Sequence, residues 1–230
     1  MNIFNLLFPR LCLGCRKPGS YFCSTCVFKI KASFPFCPVC EKPSLFGETH
    51  PICRSRYALD GFWSFFVYEG IIRKAIHKLK YKLMTDLEDE LWRLCLREIK
   101  EKEEKLLVFN RFIKENNPIV VPIPLHWHKK NIRGFNQSTL IGKKLANFFN
   151  LPFSEKILLR QKSTPSQTRF SLEERQKNVK NIFSAPPDCL LNVSCLLVDD
   201  VWTTGSTLKE AGKTLKKAGA KKVWGLAIAC

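Results

Sequence analysis

The sequence has no uninterrupted apolar run of the about 18 residues that a membrane span requires. Its first residues, 1–8, lack the basic start and the small-residue cleavage site of a signal peptide. These absences predict a protein without a membrane span that resides in the cytoplasm. The apolar share of 45% in 230 residues excludes a disordered tail, and this length allows one ordinary domain plus a small module.

Acidic residues are scarce, with 20 Asp and Glu against 38 Lys and Arg, for a formal net charge of +18. The imbalance is concentrated in residues 116–183, where twelve basic residues face three acidic ones and supply +9, half of the total. A field of this sign attracts polyanions. The alternative is a generally solubilising basic surface.

The chain divides into two segments near residue 58. Residues 1–58 are rich in turn residues and cannot build a sizeable core, so they need a stabilising cross-link such as a bound metal ion. Within 59–230, the patterns predict strands at 61–68, 119–123, 193–198 and 222–229, and helices over 72–83, 87–106, 137–149 and 208–218. This alternation predicts a mainly parallel α/β sheet. The polar residues 151–180 are predicted to form a mobile loop over a site.

Six of the eleven cysteines form three Cys-x-x-Cys pairs within the first 40 residues, which in a reducing compartment indicates metal binding. The first two pairs supply four thiolates at the spacing of a zinc ribbon: Cys12, Cys15, Cys23 and Cys26. A second zinc site is predicted from the third pair with two later ligands: Cys37, Cys40, His50 and Cys53. The alternatives are a solvated His50, leaving one zinc ion per chain, and the grouping of Cys12 and Cys15 with Cys37 and Cys40.

A segment of hydroxyl and carboxylate side chains joins the strand at 193–198 to the next helix, where ligands of open α/β sheets bind. Its donors and its glycine are typical of a phosphate cradle: Thr203, Thr204, Gly205, Ser206 and Thr207. Asp199 and Asp200 suit a ribose diol, directly or through Mg²⁺. A Walker B strand is one alternative, but its partner motif G-x-x-x-x-G-K-[ST] does not occur in the chain. A simple helix cap, the other alternative, needs only one hydroxyl.

The stretch from Val198 to Thr207 closely resembles the phosphoribosyl diphosphate loop of type I phosphoribosyltransferases. The whole chain is similar to the ComF (ComFC/GntX-like) family. The further matching stretches are the cysteine-rich start, Ile-His-Lys-Leu-Lys-Tyr at 76–81, Val-Pro-Ile-Pro from 121 with Arg-Gly-Phe-Asn-Gln at 133–137, and Gln167 with Arg175-x-x-Asn178. One departure is Cys53-Arg-Ser-Arg56, where the family often has another Cys-x-x-Cys.

This resemblance implies a type I phosphoribosyltransferase sheet, a small N-terminal double zinc ribbon over residues 1–58, and a phosphoribosyl diphosphate-type ligand with Mg²⁺. It implies that Asp199 and Asp200 contact the ribose as catalytic residues and that the loop from Thr203 to Thr207 holds the 5-phosphate. Lys80 and Arg133 become candidate contacts of the diphosphate. For Lys80, an ordinary solvated lysine on an amphipathic helix is the alternative.

Two functions are compatible with these residues. The ComF resemblance favours a role in DNA uptake (competence) or DNA utilisation, with single-stranded DNA and a competence helicase or membrane channel proteins as partners. The basic stretch 116–183 suits a groove that follows a strand. The alternative is an active phosphoribosyltransferase in nucleotide metabolism with an unidentified acceptor. Its catalysis would rest on positioning and charge stabilisation, because the sequence shows no dedicated nucleophile.

Overall fold

A computed structural model describes residues 10–81, 84–126, 131–161, 181–187 and 189–230. The α-helices are α1 (Ser24–Val27), α2 (Gly70–Tyr81), α3 (Thr85–Glu101), α4 (Leu107–Asn116), α5 (Gln137–Phe149) and α6 (Ser206–Lys217). The strands are β1 (Gly61–Phe66), β2 (Ile119–Pro122), β3 (Leu159–Arg160), β4 (Phe183–Ser184), β5 (Cys195–Val201) and β6 (Val223–Ala229). Short 3₁₀ helices span Leu45–Gly47, Pro51–Cys53 and Glu103–Leu106.

Four strands form one sheet in the order β1-β6-β5-β2, and every neighbouring pair is parallel. Gly61 of β1 lies opposite Trp224 of β6, and Cys195 of β5 lies between Val223 and Ile119. The mainly parallel α/β architecture expected from the alternating pattern is therefore confirmed. A separate antiparallel pair, β3-β4, was not expected from the sequence, because both strands are only two residues long.

Alternate residues of the central strands pack into two hydrophobic clusters. Leu196 and Val198 join the side chains of α2 to α5 on one face of the sheet, whereas Leu197 joins Leu208 and Leu215 of α6 on the other. All residues of β1 and β6 are buried. This burial on both faces explains why these strands read as continuous apolar runs rather than as an alternation. Among the described helices, none is long and apolar enough to cross a bilayer.

The predicted helix over 87–106 is too long, since α3 ends at Glu101 and Leu106 lies in a 3₁₀ turn. A further helix, α4, follows, and the sequence reading missed it. It ends at a left-handed Asn117, with φ of 39°, directly before Pro118. An asparagine followed by a proline is a helix stop signal, so the sequence indicates where α4 ends, although it does not indicate where α4 begins.

The segment before β1 covers the outer edge of the sheet. Ala32 forms an antiparallel bridge with Phe66, and Glu48 forms another with Gly61. Such cover removes the row of unpaired backbone groups that an edge strand would otherwise present. The same segment also reaches α3, where the backbone N–H of Tyr21 donates to the carboxylate of Glu90 at 2.8 Å.

Candidate functional site

Two groups of metal-ligating side chains stand in the first segment. In each group the ligand atoms all lie within 4.8 Å of one another: Cys12, Cys15, Cys23 and Cys26 in the first, and Cys37, Cys40, His50 and Cys53 in the second. The Sγ atoms of Cys15 and Cys23 are 3.6 Å apart. Four thiolates about 2.3 Å from one zinc ion have this kind of separation. Both groups could therefore bind zinc, and the structure does not group Cys12 and Cys15 with Cys37 and Cys40.

The two clusters rest on the same kind of turn. The N–H of Arg16 donates to the carbonyl of Cys12 at 2.9 Å, and the N–H of Glu41 donates to that of Cys37 at 2.8 Å. Arg16 and Glu41 both have positive φ, 66° and 60°. This shared geometry leaves each Cys-x-x-Cys pair with both sulfurs on one side of a tight turn.

His50 is oriented as a ligand of the second cluster. Its Nδ1 lies 3.4 Å from the Sγ of Cys40, and its Nε2 lies 3.1 Å from the carbonyl oxygen of Pro43. An Nε2–H that donates to this carbonyl leaves a lone pair on Nδ1 for a metal ion, which is the usual arrangement of a zinc-binding histidine. A freely solvated His50 does not fit these contacts.

The paired carboxylates lie at the carboxyl end of β5. Asp199 accepts from the hydroxyl of Ser138, at the start of α5, at 3.0 Å and from the backbone N–H of Asp200 at 2.8 Å. Burial, together with the neighbouring Asp200 carboxylate, raises the pKa of Asp199 to about 7. In the absence of a metal cation or ligand, a carboxyl with such a pKa is partly protonated at neutral pH.

Lys80 is not a solvated surface lysine, because its Nζ forms an ion pair with Asp200 at 2.8 Å. Burial works against its charge, but the carboxylates of Asp200 and Asp199 outweigh burial and raise the pKa of Lys80. The last turn of α2 thus delivers a cation to the end of β5. This ion pair connects the stretch at residues 76–81 with the pair Asp199 and Asp200.

Arg133 lies one turn before α5 and is tied to the same edge through Gln137. Its Nη1 is 3.4 Å from the Oε1 of Gln137, whose Nε2 donates to the carbonyl of Leu79 at 2.9 Å. Asn136 caps α5 by accepting from the N–H of Ser138, and it donates to the carbonyl of Ile123 beyond β2. The Arg-Gly-Phe-Asn-Gln stretch therefore links the end of α2 to the end of β2.

The hydroxyl loop, from Thr203 to Thr207, bends sharply into α6. Gly205 has φ of 66°, and a Cβ placed on it would lie 2.1 Å from the indole of Trp202. The hydroxyl oxygens of Thr204 and Ser206 are 2.6 Å apart, and α6 begins at Ser206. Thr203 is exposed, and Thr207 is half-buried. The loop therefore offers several hydroxyls beside the first N–H groups of a helix, as a phosphate site does.

Arg160 of β3 is a candidate functional residue that the sequence reading missed. Burial lowers the pKa of its guanidinium, and the opposing effect comes from the carboxylate of Asp199. Besides Lys80, the β3-β4 pair thus brings a second cation into the electrostatic reach of the acidic pair, Asp199 and Asp200. The available signal was the arginine that directly follows the apolar residues Ile-Leu-Leu at 157–159. It was missed because these residues lie within the segment 151–180, which is predicted to form a loop. Gln167 and Arg175 lie outside the described residues.

Comparison with known proteins agrees with this geometry. Residues 138–230 match the model of the phosphoribosyl transferase domain family. The chain is 31% identical to Competence protein F of Haemophilus influenzae, with 100% of both chains covered. It is 29% identical to DNA utilization protein YhgH of Salmonella typhimurium, over 95% of this chain and 96% of that one. Competence protein ComFC of Bacillus subtilis is 23% identical over 88% of this chain and 81% of its own. No solved structure matches the chain.

The matched domain begins at Ser138, the partner of Asp199, and contains the acidic pair, the hydroxyl loop and α6. The relative at 31% identity extends over the whole chain, including both cysteine clusters. This chain therefore belongs to the ComF family, with a phosphoribosyltransferase-type sheet preceded by a cysteine-rich segment that could hold zinc.

Proposed function

We propose that this chain is a cytoplasmic protein of DNA uptake or DNA utilisation that binds a phosphoribosyl diphosphate-type ligand at the carboxyl end of β5. The observation that carries the proposal is the half-buried acidic pair, Asp199 and Asp200, followed two residues later by the hydroxyl loop at the start of α6. The matching family model supports a ligand of the phosphoribosyl type. The names of the relatives, which refer to competence and to DNA utilisation, support the cellular role.

In this proposal the hydroxyl loop from Thr203 to Thr207 holds the 5-phosphate, and the acidic pair binds the ribose hydroxyls. Lys80, which already pairs with Asp200, and Arg160, which interacts electrostatically with Asp199, neutralise the diphosphate together with Arg133. Carboxylate oxygens are ligands that Mg²⁺ accepts, so Asp199 and Asp200 fit an ion that arrives with the ligand. That ion would supply charge neutralisation at the diphosphate.

We further propose that zinc fills both cysteine clusters. Thiolates and one imidazole within 4.8 Å of each other are the donor set of structural zinc sites. A segment that is rich in turns and poor in core residues would depend on these ions for its folding.

The nucleic acid that we propose as partner is single-stranded DNA. Among the described residues, four cationic side chains line a groove of about 750 Å³ between the first cysteine cluster and α2, namely Arg16, Arg73, Lys74 and Lys78, with His77 beside them. The net charge of +18 favours a polyanion in general. Lys129 and Lys130, in the basic stretch 116–183, lie outside the described residues. A competence helicase or membrane channel proteins would be the protein partners.

Isothermal calorimetry with phosphoribosyl diphosphate and Mg²⁺ tests the ligand site. Thr204→Val is expected to weaken binding by about tenfold, because it removes a hydroxyl from the loop. Thr214→Val is the matched control, since the Thr214 hydroxyl only donates to the carbonyl of Glu210 within α6. Unchanged affinity in Thr204→Val, or in the double variant Asp199→Ala with Asp200→Ala, would refute the site.

Fluorescence anisotropy with labelled oligonucleotides tests the DNA role. Affinity is expected to be independent of sequence and to fall with salt, with a log–log slope of about −0.7 per phosphate contacted. Absence of binding at low salt would remove DNA from the proposal and leave the ligand site standing.

An active phosphoribosyltransferase is the second candidate function. Lys80, which pairs with Asp200, and Arg160, which interacts electrostatically with Asp199, favour it, because a departing diphosphate needs positive charge around it. Product analysis after incubation with phosphoribosyl diphosphate, Mg²⁺ and a panel of nucleobases decides whether the protein catalyses phosphoribosyl transfer. A nucleotide product would establish turnover, and intact phosphoribosyl diphosphate with every base would exclude transfer to those acceptors.

A further inference from the structure

A cleft of about 450 Å³ opens directly beside the hydroxyl loop. Thr204 and Ser206 line it on one side, Pro38 and Val39 of the second cysteine cluster line it on another, and Tyr57 and Lys213 lie farther along. Its volume is within the range of about 300–1,000 Å³ that is typical of small-molecule sites. The proposed phosphate cradle and this cleft therefore share two hydroxyl side chains.

The cleft continues along α6 as a lysine-bearing groove. Lys209, Lys213 and Lys217 recur every four residues and so lie on one face of the helix. A second cleft of about 250 Å³ contains Lys213 and Lys217 and reaches Phe183 of β4. Glu210 borders both clefts, but its carboxylate accepts from the backbone N–H of Asn181 at 2.8 Å. The groove has a net positive lining among the residues described.

An aromatic side chain lies beside this lysine face. Tyr57 retains 36% of its exposure, and the ammonium of Lys217 is 5.9 Å from its ring centroid. Exposed aromatic rings and cations in alternation are the elements with which proteins bind single strands, by stacking on bases and neutralising phosphates. The groove of α6 has both elements.

The connection to the hydroxyl loop restricts what the groove can hold. The 5-phosphate of phosphoribosyl diphosphate is a terminal group and needs no space beyond its cradle. The 5′-phosphate of the last nucleotide in a strand is a diester. Its second ester oxygen is bonded to the preceding nucleotide, so the strand must leave the cradle through an adjoining channel. The larger basic groove at the first cysteine cluster is lined by neither Thr204 nor Ser206. Among the clefts described here, the one along α6 therefore suits such a strand.

We infer that this site also takes the 3′-terminal nucleotide of single-stranded DNA. Its 5′-phosphate occupies the loop of Thr204 and Ser206, its free 3′-hydroxyl faces Asp199 and Asp200, and the preceding nucleotides follow Lys213 and Lys217 along α6. The inference rests on the proposed function, since it uses the same cradle and the same acidic pair. A strand without an end offers no hydroxyl to the carboxylates, so the protein distinguishes ends from interior.

Competition anisotropy with a 5′-labelled oligonucleotide tests this inference on the full chain. Unlabelled linear DNA with a free 3′-hydroxyl is expected to compete about tenfold better than circular single-stranded DNA of the same sequence, because a carboxylate contact is gained at the end. A 3′-dideoxy terminus, which removes the hydroxyl, should compete like the circle. A 3′-phosphate should compete no better than the circle, because it places negative charge beside the acidic pair. Phosphoribosyl diphosphate with Mg²⁺ should abolish the preference for the free end.

Lys213→Glu is expected to weaken binding of the linear strand about tenfold while leaving the affinity for phosphoribosyl diphosphate unchanged. Lys100→Glu makes the same charge change on the exposed side of α3 and should preserve the end preference. Equal competition by linear and circular DNA, or an end preference that survives phosphoribosyl diphosphate, overturns the inference alone. If neither DNA binds, the DNA role proposed above fails as well.

Discussion

The indole ring of Trp202 stands edge-on against the phenyl ring of Phe36, with centroids 5.5 Å apart and planes at 69°. Phe36 directly precedes Cys37 of the second cysteine cluster, and Trp202 directly precedes the hydroxyl loop. Phe62 of β1 completes the stack, with its centroid 4.2 Å from that of Trp202. The second cluster and the proposed phosphate cradle therefore share one aromatic contact, and a change in either can reach the other through it.

Phe36→Ala is expected to lower the free energy of unfolding by about 2 kcal/mol, because it removes a half-buried ring from this stack. It should also weaken binding of phosphoribosyl diphosphate, since Trp202 supports Gly205 of the loop. Phe34→Ala is the matched control, because the Phe34 side chain is 79% exposed. Urea denaturation and calorimetry measure the two effects. An affinity equal to that of the wild type in a folded Phe36→Ala would disprove the coupling.

Metal analysis of the purified protein is expected to give two zinc ions per chain. His50→Ala should reduce the count towards one, because three thiolates remain in the second cluster while the first cluster is complete. His77→Ala, a histidine on the exposed part of α2, is the control and should keep both ions. A count of one in the wild type that does not change in His50→Ala would eliminate the second site.

Gly205→Ala is expected to destabilise the protein by about 2 kcal/mol or more, because a side chain at φ of 66° is strained and its Cβ would meet the indole of Trp202 at 2.1 Å. Gly70→Ala separates the two causes. Gly70 also has positive φ, 48°, but nothing lies within 4 Å of an added Cβ, so only the backbone cost of about 1 kcal/mol should appear. Equal losses of stability in the two variants would show that the contact with Trp202 does not matter.

Asp199→Asn is expected to stabilise the protein at pH 8 and to have little effect near pH 4. Burial raises the pKa of Asp199 to about 7, so the folded state binds a proton that the unfolded state has released. Stability of the wild type therefore falls, by about 4 kcal/mol, as pH rises from about 4 to about 7, and it is level above that. Urea denaturation of both proteins across this range measures the difference.

The control for this pH effect has the opposite sign. The hydrogen bond from Lys144 lowers the pKa of Asp89, so Asp89→Asn should slightly reduce stability at neutral pH, and this loss should disappear in acid. A pH profile of Asp199→Asn that runs parallel to that of the wild type would show that Asp199 is not the responsible group.

Much of the fold could be predicted from the sequence, because its helices and strands have strong local signals. The helix predicted over 137–149 matches α5, which begins after the capping Asn136 and ends at the left-handed Asn150. The central strands were found from their apolar runs. The β3-β4 pair was not, since two-residue strands owe their existence to tertiary packing of Leu158 and Phe183 rather than to any periodicity.

The candidate site was predictable where one segment carries it and not where several segments meet. The order of Asp199 to Thr207 along the chain already placed the carboxylates and the hydroxyls together. The ion pair of Lys80 with Asp200 and the approach of Arg160 to Asp199 depend on how α2 and β3 pack against the end of β5. No spacing in the sequence contains that information, so Lys80 could not be separated from a solvated lysine, and Arg160 was missed.

The place of β6 between β1 and β5 sets the order in which a nascent chain can fold. Gly61 leaves the ribosome long before Trp224, the residue that it faces in the sheet, and β1 has no other strand of the sheet beside it. Until β6 has emerged, β1 can pair only with the segment before it, through the bridges of Ala32 and Glu48, and its other edge, which faces β6 in the finished sheet, stays open. Assembly of the sheet is therefore a late event, which requires closing a very long loop and exposes β1 to chaperones or to aggregation in the meantime.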